Sequence, residues 1–348
     1  MTATGQAATS ALLEVHGLSV AYPGNSGTVT VVRDVSFSLG PGEMLGVVGE
    51  SGSGKSTLLR ALIGLLPSGG QVTSGEVLLR GENLLGLPES RMRGIRGSQL
   101  GMVFQDPVNV LNPSMTIERQ LSRILRLHRP EIPRQRRTAE ILSVLERVGI
   151  DGRGKLGSHP FEFSQGQLQR IMIAVACLAG RPALLLADEP TTSLDVTVEA
   201  QIGELLLDLR AELGLAVILV SHDIALVGQL CDRVLVLYGG RLVETASVTT
   251  LLAQPGHPYT EQLLRSIPPF PGTGERLYAM RGEIADLAEA SPGCVFAPRC
   301  ESRLGPVCDT VEPARSAISA GHHATCHRYA MPAAPEPPRD AQPITRER

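Results

Sequence analysis

Gly49, Gly54, Lys55 and Ser56 stand in the run VVGESGSGKSTLL, with four residues between the glycines, a spacing suited to a polyphosphate. Phosphate oxygens need backbone N–H groups that approach closely. Gly49, Gly52 and Gly54, with the small Ser51 and Ser53 between them, leave room for that approach. The helix start that follows adds its partial positive charge. In such a loop Lys55 offsets the charge on the β- and γ-phosphates, the Ser56 hydroxyl ligates Mg2+, and Thr57 supports the α-phosphate end. A Gly-rich turn with no ligand is the alternative. The apolar strand before the loop and the helical run after it argue for the phosphate reading.

A second chemical feature is ALLLADEP, an apolar strand ending in two adjacent carboxylates, Asp188 and Glu189. Ligands in open α/β sheets sit at strand ends. Asp188 suits the oxygen shell of a nucleotide's Mg2+, and Glu189 suits the base that polarises a hydrolytic water. Capping the next helix is the alternative, and coupling to the phosphate loop disfavours it. A third feature lies near the end of the chain, where Cys294, Cys300, Cys308 and Cys326 are separated by five, seven and seventeen residues. Disulfides, a metal site or four unligated thiols all fit those gaps, which include no Cys-x-x-Cys knuckle and no compact ferredoxin run.

These residues need elements to position them. LLEVHGLSVAY, TVVRDVSFSL and GEVLLRG read as strands, the last two with the polar and apolar faces of an antiparallel sheet. MLGVVG, GMVFQ, ALLLAD, AVILVS and RVLVLY are short continuous apolar runs, as in parallel strands covered on both faces. Helical patterns at 55–66, about 117–127, 136–149, 165–180, 196–213 and 223–230 separate several of them. The expected class is therefore α/β with crossovers, and the mostly helical stretch 106–180 is expected to form an inserted lobe. After residue 254 the texture turns rich in Pro, Gly, Cys and His, which marks 255–330 as a small extension of the 11–254 domain. Residues 1–10 and 331–348 are expected to be disordered.

Composition agrees and excludes. Hydrophobic residues make up 43% of the 348, aromatics only 3% and Trp none, so the core must be built from Leu, Val, Ile and Ala. A net charge of −3 gives no electrostatic case for non-specific nucleic-acid binding, and the basic run RPEIPRQRR reads as a solvated helix face. No secretory signal is expected from the N-terminal residues, and the longest apolar runs fall short of the roughly 20 residues that a spanning helix needs. The chain is expected to be soluble by itself, with any membrane role supplied by a partner.

With further motifs in order, residues 12–265 resemble the ATP-binding cassette (ABC) family. VFQDP places Gln105 at the family's Q-loop glutamine, which contacts Mg2+ and the attacking water and senses the membrane subunit. FSQGQLQR aligns Ser164, Gly166 and Gln167 with the signature, TTSLD supplies Ser193 and Asp195 of the D-loop, and LVSHD supplies the switch histidine His222. SVAYPG puts Tyr22 where a ring stacks on adenine. Singly, each has a bland reading as a solvated, core or edge residue; the joint order carries the resemblance. It implies a P-loop NTPase with a RecA-like parallel core sheet, an antiparallel β-subdomain and a helical lobe, working with ATP and Mg2+ held by Ser56, Gln105 and Asp188. It also implies a head-to-tail pair of cassettes, identical or homologous, in which Ser164, Gly166 and the helix start behind them meet the opposing γ-phosphate. One departure is Gln165, where the family usually has the first glycine of Leu-Ser-Gly-Gly-Gln, which puts equal activity of the two ATP sites in question.

The stretch QPGHPYTEQLLRSIP, with His257, Pro258, Tyr259 and Thr260, is similar to a tail typical of oligopeptide, dipeptide and nickel importer ATPases, and the Cys-containing extension matches the same subfamily. The resemblance implies a peripheral subunit on the cytoplasmic face of the inner membrane. Its partners there are two permease subunits and, through them, an extracytoplasmic solute-binding protein, with no nucleic acid. A reducing compartment disfavours disulfides. Related peptide-importer ATPases carry a 4Fe-4S cluster on a similar cysteine set, so Cys294, Cys300, Cys308 and Cys326 are expected to hold one, with zinc as the alternative. Cys177 and Cys231 read as small buried residues. The expected function is ATP-driven peptide uptake; nickel or another small solute is the runner-up, and a soluble ABC ATPase acting on nucleic acid or ribosomes is the rival from another class.

Overall fold

Three runs with no polar face, Met44–Val48, Leu184–Asp188 and Ala216–Ser221, are wholly buried strands, because each lies in the middle of a sheet covered on both sides. The computed structural model describes residues 11–24, 27–267, 278–282 and 292–329. The expected disordered ends, 1–10 and 331–348, lie outside the described residues.

The chain opens with β1 (Leu13–Gly24), β2 (Gly27–Leu39), β3 (Met44–Val48), α1 (Lys55–Leu62), β4 (Gln71–Leu79), β5 (Glu82–Asn83), α2 (Glu89–Ile95) and β6 (Leu100–Val103). A helical lobe follows, with α3 (Pro107–Val110), α4 (Ile117–His128), α5 (Arg134–Arg147) and α6 (Gln165–Ala174). The chain then returns to the sheet through β7 (Leu184–Asp188), α7 (Val196–Leu213), β8 (Ala216–Ser221), α8 (Ile224–Leu230), β9 (Arg233–Tyr238), β10 (Arg241–Ser247) and α9 (Val248–Ala253). The extension adds α10 (Pro258–Arg265), α11 (Val307–Thr310), β11 (Arg315–Ser319) and β12 (His322–Thr325).

Two sheets result. One has the order β2-β1-β4-β5 and is antiparallel; the other has the order β11-β12-β10-β9-β3-β8-β7-β6. Strands β9, β3, β8, β7 and β6 are parallel, and β10, β12 and β11 continue the sheet antiparallel. The larger sheet is therefore mixed, and its edge is built by the extension: Glu244 of β10 stands opposite Ala324 of β12. Alternation along β8 shows how the layers form. Ala216, Ile218 and Val220 face α1 and the antiparallel sheet, while Val217 and Leu219 face the lobe side.

Within the lobe, α4 starts where the Thr116 side chain accepts the Arg119 N–H, and it buries Ile117, Leu121 and Leu125 at four-residue spacing. Each of those side chains contributes about 1.5–3 kcal/mol by leaving water. Helix α7 is capped by Asp195 and stops at Gly214, whose φ of 62° is left-handed. Strands β5 and β10, helices α2, α9, α10 and α11 and the β11–β12 hairpin are additional to the sequence reading. Among the described residues no helix is long and apolar enough to cross a membrane.

Candidate active site

The carboxyl ends of β3, β6, β7 and β8 meet at one corner, and the residues just past those ends are Gly49, Gln105, Glu189 and His222 or their immediate neighbours. Residues 49–54 turn tightly from β3 into α1. A Cβ on Gly49 would lie 2.2 Å from the Leu237 carbonyl oxygen, and one on Gly54 would lie 2.7 Å from that of Val31, so the loop is wedged between β9 and β2 where only glycine fits. Lys55 is buried, and its Nζ donates to the carbonyls of Gly49 (2.8 Å) and Glu50 (3.0 Å). Burial pulls its pKa below the ordinary lysine value, against the pull of Glu189, Asp188 and Glu50.

One helical position on, the Ser56 hydroxyl donates to Asp188 Oδ1 at 2.7 Å. Asp188 is fully buried, its Oδ2 has no protein partner, and burial raises its pKa against the Ser56 hydrogen bond. An orphaned carboxylate oxygen next to a serine hydroxyl fits a cation's oxygen shell. Glu189 sits at φ +46°, a left-handed conformation that costs a non-glycine residue about 1–2 kcal/mol. Glu189 Oε2 accepts from Gln105 Nε2 (3.1 Å) and Thr192 Oγ1 (2.9 Å), and His222 Nδ1 lies 3.6 Å from it. Glu189 Oε1 lies 4.0 Å from the Lys55 ammonium.

Lys55, Ser56, Asp188, Glu189, Gln105 and His222 thus come together as the sequence predicts. Thr192 was missed; its hydroxyl three residues past Glu189 was the available signal. The signature residues are not in this group. Ser164 and Gln167 cap their own helix reciprocally: Ser164 Oγ accepts the Gln167 N–H (3.3 Å) and Gln167 Oε1 accepts the Ser164 N–H (3.2 Å). Ser164 and Gln165 are exposed, and a Cβ on Gly166 would come within 2.8 Å of Val198 on α7. Asp195 accepts the Val198 N–H at 2.9 Å. Tyr22 is half-buried with its ring against Gly70. Beside the corner, Gln105, Val108, Phe161, Gln165 and Thr192 line a groove of about 730 Å³, and Val108 and Phe161 are 56% and 74% exposed.

The four extension cysteines are free thiols lining one pocket with His257 and Phe296. Burial, reinforced by Cys326, Cys300 and Cys308, pushes the Cys294 thiol up to about 11. The buried His257 accepts the Tyr259 N–H through Nδ1, so the neutral ring's proton sits on Nε2, which is buried without a partner. No group of three or more His, Cys, Asp or Glu among the described residues is placed to hold a metal ion, so neither the expected cluster nor zinc is shown. Cys177 and Cys231 are buried in the core, each pushed up to about 12 by desolvation.

The family described as ABC transporter matches residues 32–192, and that described as oligopeptide/dipeptide transporter, C-terminal region, matches 243–308. A putative peptide import ATP-binding protein of Brucella abortus is 47% identical over 84% of this chain and 88% of its own length. The dipeptide transport ATP-binding protein of Bacillus subtilis is 42% identical over 90% and 94%, and the oligopeptide transport ATP-binding protein of Escherichia coli 42% over 87% and 89%. Among solved structures, a dimeric ATP-binding cassette bound to ADP and Pi superposes with a TM-score of 0.61 at 27% identity, covering 68% of this chain and 98% of that one.

Proposed function

We propose, because this chain belongs to the ABC transporter ATP-binding proteins of the oligopeptide/dipeptide class and is an ATPase, that it powers the import of di- and oligopeptides across the cytoplasmic membrane. The observation that carries this reading is the convergence of Lys55, Ser56, Asp188 and Glu189 at one corner of a chain whose C-terminal part is of the oligopeptide/dipeptide type.

In the mechanism, the loop amides of 49–54 and Lys55 take the phosphates, and Lys55 exchanges its carbonyl partners for phosphate oxygens. Ser56, Asp188 and Gln105 would hold Mg2+, which, when bound, neutralises charge on the phosphates. Glu189 receives a proton from the attacking water at a carboxylate that Gln105, Thr192 and His222 already orient. The exposed start of α6, with Ser164 and Gly166, serves the γ-phosphate of a second cassette instead of its own. Gln165 adds a polar side chain at that surface where the family usually has glycine. The groove beside Val108 and Phe161 receives a permease segment, so that closure of the pair reaches the membrane subunits and the solute-binding protein beyond them.

Cys294, Cys300, Cys308 and Cys326 on this pocket would be the ligands of a 4Fe-4S cluster, with zinc as the alternative. Its support is four free thiols on one pocket with an unpaired buried N–H donor among them. Cys300→Ser is expected to lose stoichiometric iron and sulfide from anaerobically purified protein; a colourless, zinc-loaded wild type would reject the cluster. Peptide uptake in cells lacking the gene tests the function. Wild type is expected to restore it and Glu189→Gln to fail, while restoration of nickel uptake alone would overturn the peptide assignment.

A further inference from the structure

Glu50, the first residue after Gly49, is gripped from several sides. Its N–H donates to the Tyr259 hydroxyl at 2.9 Å, and its carbonyl accepts from Lys55 Nζ at 3.0 Å and from the Ser53 N–H at 3.2 Å. Its carboxylate takes both arms of one guanidinium: Arg299 Nη1 to Oε2 at 2.6 Å and Nη2 to Oε1 at 3.0 Å. Two of these partners, Tyr259 and Arg299, lie more than 200 residues away in the C-terminal extension.

Both are rigidly mounted. The Arg299 side chain is 4% exposed; its Nε donates to the Arg281 carbonyl (3.0 Å) and its Nη1 also to the Tyr238 hydroxyl (3.2 Å). Tyr259 is fully buried and packs with Tyr238 and Phe296 at ring separations of 4.7 and 5.4 Å. The short turn carrying Arg299 lies between Cys294 and Cys300, the Ala297 N–H donating to the Cys294 carbonyl at 3.0 Å. The chemistry explains the arrangement. A carboxylate inside a loop that must take a polyanion repels its ligand unless a fixed cation neutralises it, and a desolvated two-armed arginine pair neutralises and orients at once.

The geometry points to Arg299 and Tyr259 as positioning residues for nucleotide: the extension latches the phosphate loop through Glu50. This rests on the reading of residues 49–57 as the phosphate loop. The test is the dissociation constant of a fluorescent ATP analogue, which needs no turnover, measured on the full chain with Lys55→Ala as control. Arg299→Met is expected to weaken binding about tenfold by leaving Glu50 uncompensated, with Arg299→Lys between it and wild type. Glu50→Gln added to Arg299→Met is expected to return affinity to within about threefold of wild type, a rescue that a merely structural arginine would not show. Tyr259→Phe removes one oxygen and is expected to weaken binding about threefold. Where Arg299→Met fails to fold, the Tyr259 variant and the double variant decide. Variants all within twofold of wild type, with Lys55→Ala binding lost, overturn the latch; Lys55→Ala binding as wild type overturns the phosphate-loop reading instead.

Discussion

Glu189 is the residue we propose as the base for turnover: its backbone is left-handed, its Oε2 accepts from Gln105 and Thr192, and His222 Nδ1 lies 3.6 Å away. Glu189→Gln keeps the shape and removes the base; steady-state ATPase is expected to fall by at least about 100-fold with nucleotide binding retained. Unchanged turnover would remove Glu189 from that role. Thr192→Val keeps the volume and deletes one hydrogen bond to Oε2, for an expected loss of roughly fivefold in kcat. Gly49→Ala places a methyl 2.2 Å from the Leu237 carbonyl in a backbone region that alanine avoids, so nucleotide binding is expected to vanish and thermal unfolding to begin earlier.

At the scale of elements, a buried carboxylate joins the strand pairing in tying the extension to the sheet. Glu244 of β10 accepts the N–H groups of Gly256 (2.6 Å) and His257 (2.8 Å) and lies 2.7 Å from His322 Nε2 on β12. Glu244→Ala orphans all three and is expected to cost about 3–5 kcal/mol, read by denaturant unfolding, with new proteolytic cleavage near residue 255. Equal stability and cleavage would show that the hairpin docks by its strand pairing alone. The helix start of α6 separates two roles: Ser164→Ala is expected to cost about 1 kcal/mol as a lost cap and to reduce ATPase only in the paired state.

For the whole molecule, the proposal is that the nucleotide corner and the start of α6 serve the phosphates of different ATP molecules in a pair of cassettes. Glu189→Gln with ATP is therefore expected to sediment as a pair of cassettes, and a monomer at all protein concentrations would contradict the shared site. The net charge of −3 makes isolation free of nucleic acid the expected outcome.

The loop glycines, Lys55, Ser56 and the Asp188–Glu189 pair were legible as a candidate site because their signals are local, a strand, a turn and a helix start close together in the chain. The buried parallel strands were legible from unbroken aliphatic runs. The hairpin at 315–325 was not, since its half-exposed alternation in RSAISAGHHAT carries little apolar signal and its strands form by pairing with β10. Nor was Arg299, an arginine among 32 basic residues until folding lays it against Glu50. Local backbone geometry belongs to the sequence window; countercharges and sheet partners from distant segments belong to the tertiary fold, because only packing decides which buried charge meets which.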